Sequence, residues 1–93
     1  MRISDKKQEK IMSQILSVLY DTFPKSLFTA QIAQEIARDE EFVKSLLHEL
    51  NQKDLVNAID KNQEGIKYLK RTRWRLSNKA HEAYSKTNSP HLN

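Results

Sequence analysis

Two short apolar repeats that lie close together constrain the fold of this chain more than any other feature. The first, which opens with the candidate N-cap Thr29, has three apolar residues at helical spacing: Ile32, Ala33 and Ile36. Asp39, a second candidate N-cap, follows after a few residues and opens the next repeat. That repeat places five apolar residues three and four positions apart: Phe42, Val43, Leu46, Leu47 and Leu50. Two short helices joined by so tight a turn predict a helix-turn-helix between Thr29 and Val56.

Charge is distributed unequally along the chain, although the net charge is only +4. Residues 1–60 contain eight Lys and Arg against ten Asp and Glu, which gives −2, whereas residues 61–93 contain eight against two, which gives +6. A basic segment separated in this way favours a polyanionic partner for the C-terminal third of the chain. The alternative is a basic face that is only solvated.

The length of 93 residues predicts one domain with a single core, which we place at residues 1–86. Residues 87–93, which contain Pro90, are predicted to be a disordered tail. The sequence contains no cysteine, so a disulfide framework and a thiolate metal site are both excluded, and a reducing cytoplasm fits. No apolar run reaches membrane-spanning length. We therefore expect a cytoplasmic protein.

The segment before the helix pair contains a longer amphipathic pattern. A helix is predicted from Ser4 or Asp5 to about Phe23, and its apolar stripe contains Ile11, Ile15, Val18 and Leu19. Pro24 ends this helix because a proline disfavours helical backbone angles in the residue before it. Residues 26–28 leave room only for a short strand.

The pattern of the segment after the helix pair predicts a β-hairpin. Residues 55–59 and 66–76 are strand-like and flank a polar run that ends in Gly65, and the register of the hairpin is left open. Period-two alternation places one set on a first face of the second strand: Tyr68, Thr72, Trp74 and Leu76. The other face carries Lys67, Leu69, Arg71, Arg73 and Arg75. We expect Trp74 and Leu76 to close the core, and Ser77 to cap a last helix.

These features together resemble the winged helix-turn-helix superfamily, in particular the small MarR-like regulators of bacteria and archaea. Arg73 to Ser77, which reads Arg-Trp-Arg-Leu-Ser, is similar to the end of the wing in that superfamily. The resemblance implies an α+β, mostly helical fold, a winged helix-turn-helix with three core helices, a β-hairpin wing and a C-terminal helix. The chain departs from the family pattern at Ala37 and Arg38, which replace a glycine-plus-apolar pair, and at Asp54, which stands where many members have glycine.

The resemblance also implies a function, namely double-stranded DNA binding by a small transcriptional regulator. The helix at 39–53 would enter the major groove, and the basic wing at 60–75 would contact phosphates. The groove candidates are Lys44, Ser45 and His48. The phosphate candidates are Thr29, Gln31, Lys61, Lys67, Lys70, Arg71 and Arg73. Three acids at the start of the groove helix, Asp39, Glu40 and Glu41, are explained by the positive end of the helix dipole.

Other functions are weighed against DNA binding. A protein-interaction module in a larger complex would use the acidic helix start and the basic wing for electrostatic docking. RNA binding is disfavoured because Tyr68 and Trp74 are assigned to the core and not to a stacking platform. The three histidines, His48, His81 and His91, have no partners at ligand or catalytic spacing. We therefore expect no metal, no cofactor and no enzymatic activity.

Oligomeric state is a separate question. Ile3, Met12 and Tyr84 are apolar positions expected on the surface, and they would suit a symmetric homodimer. MarR-like proteins, however, dimerise through additional long helices, for which 93 residues leave no room. We nevertheless expect a homodimer in preference to a monomer.

Overall fold

A computed structural model describes residues 5–59 and 72–87 of the chain. These residues form four helices and three short strands: α1 Asp5–Thr22, β1 Leu27–Phe28, α2 Thr29–Ile36, α3 Glu40–Gln52, β2 Val56–Ile59, β3 Arg73–Leu76 and α4 Asn78–Thr87. The predicted fold is confirmed: three core helices, a small sheet and a C-terminal helix follow one another in the expected order. The hairpin tip at Gly65 and residues 88–93 of the predicted tail lie outside the described residues.

Two of the predicted N-caps are confirmed by their hydrogen bonds. The Asp39 Oδ2 accepts from the Phe42 N–H at 3.0 Å, so α3 begins where the sequence predicted. The Ser77 Oγ accepts from the Ala80 N–H at 3.0 Å and itself donates to the Asp54 carbonyl oxygen at 2.9 Å. Ser77 therefore caps α4 and ties that helix to the turn between α3 and β2.

The third predicted N-cap, Thr29, is wrong. Thr29 is the first residue of α2, and the N-cap position is occupied by Phe28, whose side chain has no acceptor. The Phe28 N–H instead donates to the Gln31 Oε1 at 2.8 Å. The Thr29 hydroxyl is buried and accepts from the indole Nε1–H of Trp74 at 2.8 Å. The Thr29 hydroxyl, which the local sequence assigned to an N-cap, is instead hydrogen-bonded to Trp74, a residue 45 positions away along the chain.

The turn of the helix pair is made without glycine. Ala37 ends α2 in the left-handed region, with φ 57° and ψ 50°. This conformation lets the N–H groups of Ala37 and Arg38 donate to the Gln34 and Ala33 carbonyl oxygens at 3.2 and 3.0 Å. Asp54, after α3, also has a positive φ, of 62°. Both left-handed positions fall where the sequence departs from the glycines of the family pattern.

The sheet has three antiparallel strands in the order β1-β3-β2, so β3 is the central strand. Trp74 pairs with Leu27 on one side and with Ala58 on the other, and Leu76 pairs with Val56. This register fixes the base of the predicted hairpin. The described part of its second strand, Arg73–Leu76, starts one residue after Thr72, which lies outside the strand.

The core lies between the sheet and the first three helices. Trp74 is fully buried and is the largest of the fully buried side chains, and Leu76 is buried beside it, which confirms the predicted phase of the strand. The helices contribute a buried set: Ile11, Ile15, Leu19, Ile32, Val43, Leu46, Leu47 and Leu50. Met12, which we expected on the surface, is only 7% exposed and belongs to this core, so that expectation is wrong. Ile3, its predicted neighbour in a dimer interface, lies outside the described residues.

Candidate nucleic-acid interface

The outward face of α3 is the first candidate surface. Lys44, Ser45 and His48 are all exposed on it, because the opposite stripe of the helix is buried in the core. The Ser45 hydroxyl donates to the Phe42 carbonyl oxygen at 2.7 Å, which leaves its oxygen lone pairs able to accept. The His48 ring stands edge-on to the Trp74 indole, with 5.2 Å between the ring centroids. The structure thus brings the three predicted groove residues together on one helical surface.

Acidic side chains occupy the start of the same helix. Glu40 and Glu41 form its first turn after the Asp39 cap, and both are exposed. They complement the positive end of the helix dipole, as the sequence predicted. They also place negative charge one turn away from Lys44. A polyanion that approaches this face therefore meets repulsion at one end and a cation next to it.

A shallow recess joins the starts of α2 and α3. It has a volume of about 160 Å³ and is lined by Phe28, Thr29, Ala30, Glu40, Glu41, Lys44 and Thr72. Thr29 contributes little of its side chain, since the residue is 7% exposed and its hydroxyl is bonded to Trp74. Gln31 is exposed, but its Oε1 is held by the Phe28 N–H. What this helix start offers an anion is therefore the backbone N–H groups of its first turn.

The described arginines of β3 pack against aromatic rings. The guanidinium carbon of Arg73 lies 5.5 Å from the Phe28 ring centroid, and that of Arg75 lies 5.4 Å from the Phe23 ring centroid. Arg75 also donates from Nη2 to the Asn78 Oδ1 at 2.9 Å. Both residues are half-buried on the face opposite Trp74, so the predicted outward row exists but is partly covered. Four other predicted phosphate contacts, Lys61, Lys67, Lys70 and Arg71, lie outside the described residues.

One cationic residue that the sequence analysis did not assign to a binding surface lies close to other cations. Arg38, in the turn between α2 and α3, lines a recess together with lysines from the start of α1. The three lysines share one stripe of a helical pattern, which is a signal that the sequence contains. Arg38 carries no such signal, because its approach depends on how α1 and α2 pack.

Metal sites and membrane spans are the other features that could indicate a function. Within residues 5–59 and 72–87, no three His, Cys, Asp or Glu side chains stand close enough to hold a metal ion. The helices of those residues also lack the combination of length and apolar character that crossing a membrane requires.

Sequence comparison identifies a domain family. The sequence model of the winged helix-turn-helix domain matches residues 2–69. This match contains all three core helices and the first two strands. Among curated proteins, no sequence match was found.

Solved structures show the same fold at low sequence identity. A mutant of MepR from S. aureus is 22% identical and superposes with a TM-score of 0.68, covering 91% of this chain and 62% of its own. A mutant of ZitR from Lactococcus lactis is 18% identical, with a TM-score of 0.62 and coverages of 86% and 52%. The PcaV transcriptional regulator from Streptomyces coelicolor, solved with its natural ligand, is 14% identical, with a TM-score of 0.58 and coverages of 87% and 63%.

The predicted winged helix-turn-helix resemblance is confirmed by the family model, and the MarR-family neighbours share its fold. The chain spans between about half and two thirds of the length of the structures that it matches. At these identities, the likeness establishes the fold and no more.

Proposed function

The chain belongs to the winged helix-turn-helix domain family, and on that premise we propose that it binds double-stranded DNA as a small transcriptional regulator. The observation that carries the proposal is the exposed face of α3. Lys44, Ser45 and His48 project from a helix whose other side is anchored by four buried residues, so the backbone that carries them is held in place before any ligand arrives. A helix of this diameter fits the major groove of B-DNA.

Each of the three side chains has a suitable chemistry for base edges. The Lys44 ammonium donates to the acceptor pair of guanine, O6 and N7. The Ser45 hydroxyl still accepts after it has bonded the Phe42 carbonyl, and a cytosine amino group is a suitable donor. The His48 imidazole is oriented by its contact with the Trp74 ring. We assign sequence preference to these residues.

Phosphate contacts are proposed from two other elements. The start of α2 supplies the backbone N–H groups of Thr29 and Gln31, and β3 supplies Arg73. The cations predicted for the wing, Lys61, Lys67, Lys70 and Arg71, complete this set. Phosphate contacts fix the register of the protein on the duplex without specifying its sequence, so this group governs affinity for all duplexes alike.

The remaining parts of the proposal follow from the same role. A DNA-binding regulator needs no enzymatic activity and no cofactor, and it acts in the cytoplasm, associated with the nucleoid. One of the matched structures is described as a transcriptional regulator in complex with a natural ligand, which supports the general assignment. A homodimer stays a prediction, and Met12, which is buried in the core, does not contribute to its interface.

Fluorescence anisotropy with labelled duplexes across a salt series tests the proposal. The parent chain is expected to bind random duplex at low salt. The logarithm of its affinity should fall linearly with the logarithm of the salt concentration. Lys44→Ala is expected to weaken binding to some sequences more than to others, whereas Arg73→Ala weakens binding to all sequences equally. Lys86→Ala, an exposed lysine of α4, is the matched control and should change little. No binding of any duplex at low salt contradicts the proposal.

A protein-interaction module is the second candidate function, and the acidic start of α3 favours it. Asp39, Glu40 and Glu41 would dock on a basic partner surface in a larger complex. The same anisotropy series separates the two functions. Parent binding that is unchanged in both Lys44→Ala and Arg73→Ala, with the same salt slope, places the protein-interaction function first.

A further inference from the structure

A second concave surface of the molecule concentrates positive charge. The recess between the start of α1 and the turn after α2 has a volume of about 500 Å³. Six described residues line it: Lys6, Lys7, Lys10, Ile11, Gln14 and Arg38. Four of them are cations and none is acidic. The recess lies within residues 1–60, whose net charge is −2, so the positive charge is a local feature and not part of the basic C-terminal third.

The start of α1 is sorted by charge around its axis. The lysines lie on the side that faces Arg38, whereas Glu9 lies on the other side and lines a separate recess with Met12, Glu49 and Lys53. On that second side, the Gln8 Nε2 donates to the Glu49 Oε1 at 3.2 Å. Glu9 and Glu49 thus line a recess that the three lysines do not.

Stability of the helix does not explain the lysines. Cations near the start of a helix oppose its dipole, and like charges three and four residues apart repel each other, as do Lys7 and Lys10 and also Lys6 and Lys10. The last turn of α1, where cations would be favourable, contains none. If the lysines of α1 were only solvated, no arginine from another element would be needed beside them. Arg38, one residue after the left-handed Ala37, reaches the same recess from the turn that follows α2.

We propose that this basic recess, formed by Lys6, Lys7, Lys10 and Arg38, binds phosphate groups. A guanidinium presents a planar fork to two phosphate oxygens, and ammonium groups beside it supply point charges and donors. Ile11, which is 1% exposed, lies at the base of the recess.

The phosphate has two conceivable sources. One is the backbone of the duplex bound by α3, because Arg38 is adjacent to Asp39, the N-cap of that helix. With this source, the inference rests on the proposed function and adds a contact outside the helix-turn-helix face and the wing. The other source is a free phosphorylated small molecule, which requires no DNA binding.

The first experiment uses inorganic pyrophosphate and the full chain, with amide chemical shifts as the readout and sodium chloride of equal ionic strength as the baseline. The test variant is Lys10→Gln with Arg38→Gln, which removes one cation from each element. The control variant is Lys25→Gln with Lys79→Gln, which removes two exposed cations elsewhere. With a free phosphate source, we expect shifts centred on the recess and affinity reduced about tenfold or more in the test variant only.

The second experiment measures the salt slope of duplex binding for the same three proteins. With the duplex as the source, the slope of log affinity against log salt flattens by about one unit for each phosphate-binding cation that is neutralised, so by about two in the test variant. The control variant keeps the slope of the parent. Thermal unfolding of all three proteins confirms that the exposed substitutions leave the fold intact.

Either effect, confined to the test variant, supports the recess and identifies its source. The inference is overturned if the test variant matches the control variant in both experiments. It is also overturned if pyrophosphate shifts no recess amide of the parent chain and the salt slopes of the parent chain and the test variant do not differ. If the parent does not bind duplex at all, the proposed function fails, and the pyrophosphate titration alone then decides whether the recess binds phosphate.

Discussion

The two helices of the helix-turn-helix begin in opposite ways. The first turn of α2 contains no acidic residue, and its N-cap, Phe28, provides no side-chain acceptor. The first turn of α3 contains Glu40 and Glu41, and the Asp39 carboxylate accepts from its backbone. The α2 start is therefore electrically neutral, and its cap residue offers no side-chain acceptor to the backbone N–H groups. The α3 start carries three negative charges, and one of them accepts from its backbone.

This difference indicates where an anion is accepted and how each start is held in place. The α3 start is fixed by a bond between neighbours in sequence, and its acids repel phosphate. The α2 start is fixed by the bond from the Trp74 indole to the Thr29 hydroxyl, which crosses the core. The α2 start carries no acid that would repel a phosphate, although the Gln31 side chain holds its Phe28 N–H, so it is the better of the two starts for an anion.

Among the variants that test this difference between the two helix starts, Trp74→Ala is expected to have the largest effect on stability. This change removes the largest buried side chain and the anchor of the α2 start together, and we expect a loss of about 3–5 kcal/mol in the free energy of unfolding. Urea unfolding measures the loss, and a domain of this size is expected to be largely unfolded by it. A variant with the parent's unfolding midpoint would contradict the role of Trp74 as the centre of the core.

Thr29→Val is the next largest expected effect and isolates the anchor. The substitution keeps the shape but leaves the buried indole N–H without its acceptor, which costs about 1–3 kcal/mol. Thr29→Ser, which keeps the hydroxyl, is the control and should lose less. Equal unfolding midpoints for the valine and serine variants would show that the hydrogen bond contributes nothing. Duplex binding by the folded valine variant should be retained, because the proposed phosphate contact uses the backbone N–H.

Asp39→Ala tests the local anchor of α3. Loss of an N-cap typically costs about 1 kcal/mol, within a range of about 0.5–2, and the same chemical denaturation measures it. Asp39→Asn should retain most of the stability, since asparagine is an equally good cap. If the asparagine variant loses as much as the alanine variant, the carboxylate charge matters more than the hydrogen bond to Phe42.

Glu40→Gln with Glu41→Gln is expected to have the smallest effect on stability and to sharpen the contrast in anion binding. Weaker interaction with the helix dipole costs at most about 0.3–1 kcal/mol per charge. Affinity for random duplex should rise, because repulsion of phosphates is removed. Anisotropy at fixed salt measures the change. An unchanged affinity would mean that this end of α3 stays away from the duplex.

The sequence predicted what depends on neighbours along the chain. The caps at Asp39 and Ser77 were found because an acceptor and the amides it serves lie within one helical turn. The burial of Trp74 and Leu76 followed from period-two alternation, which is also local. The left-handed turns at Ala37 and Asp54 fall at the places where glycine is missing from the family pattern.

What the sequence did not predict depends on how the elements pack. Thr29 has every local property of an N-cap, but the indole of Trp74 binds its hydroxyl from across the core. Met12 lies at the edge of the α1 stripe, and its burial is decided by what packs beside that edge. The meeting of Arg38 with the α1 lysines likewise exists only in the folded molecule. The site residues assigned to DNA remain predictions for the experiments above.

The strand order β1-β3-β2 has a consequence for how the protein folds while it is synthesised on the ribosome. The middle strand of the sheet is the last one to be translated, and β1 and β2 have no shared partner until Arg73–Leu76 has emerged. A nascent chain that ends before Trp74 can form its helices, but the slot for the indole stays open to water. Completion of the core is therefore postponed until synthesis has passed Leu76.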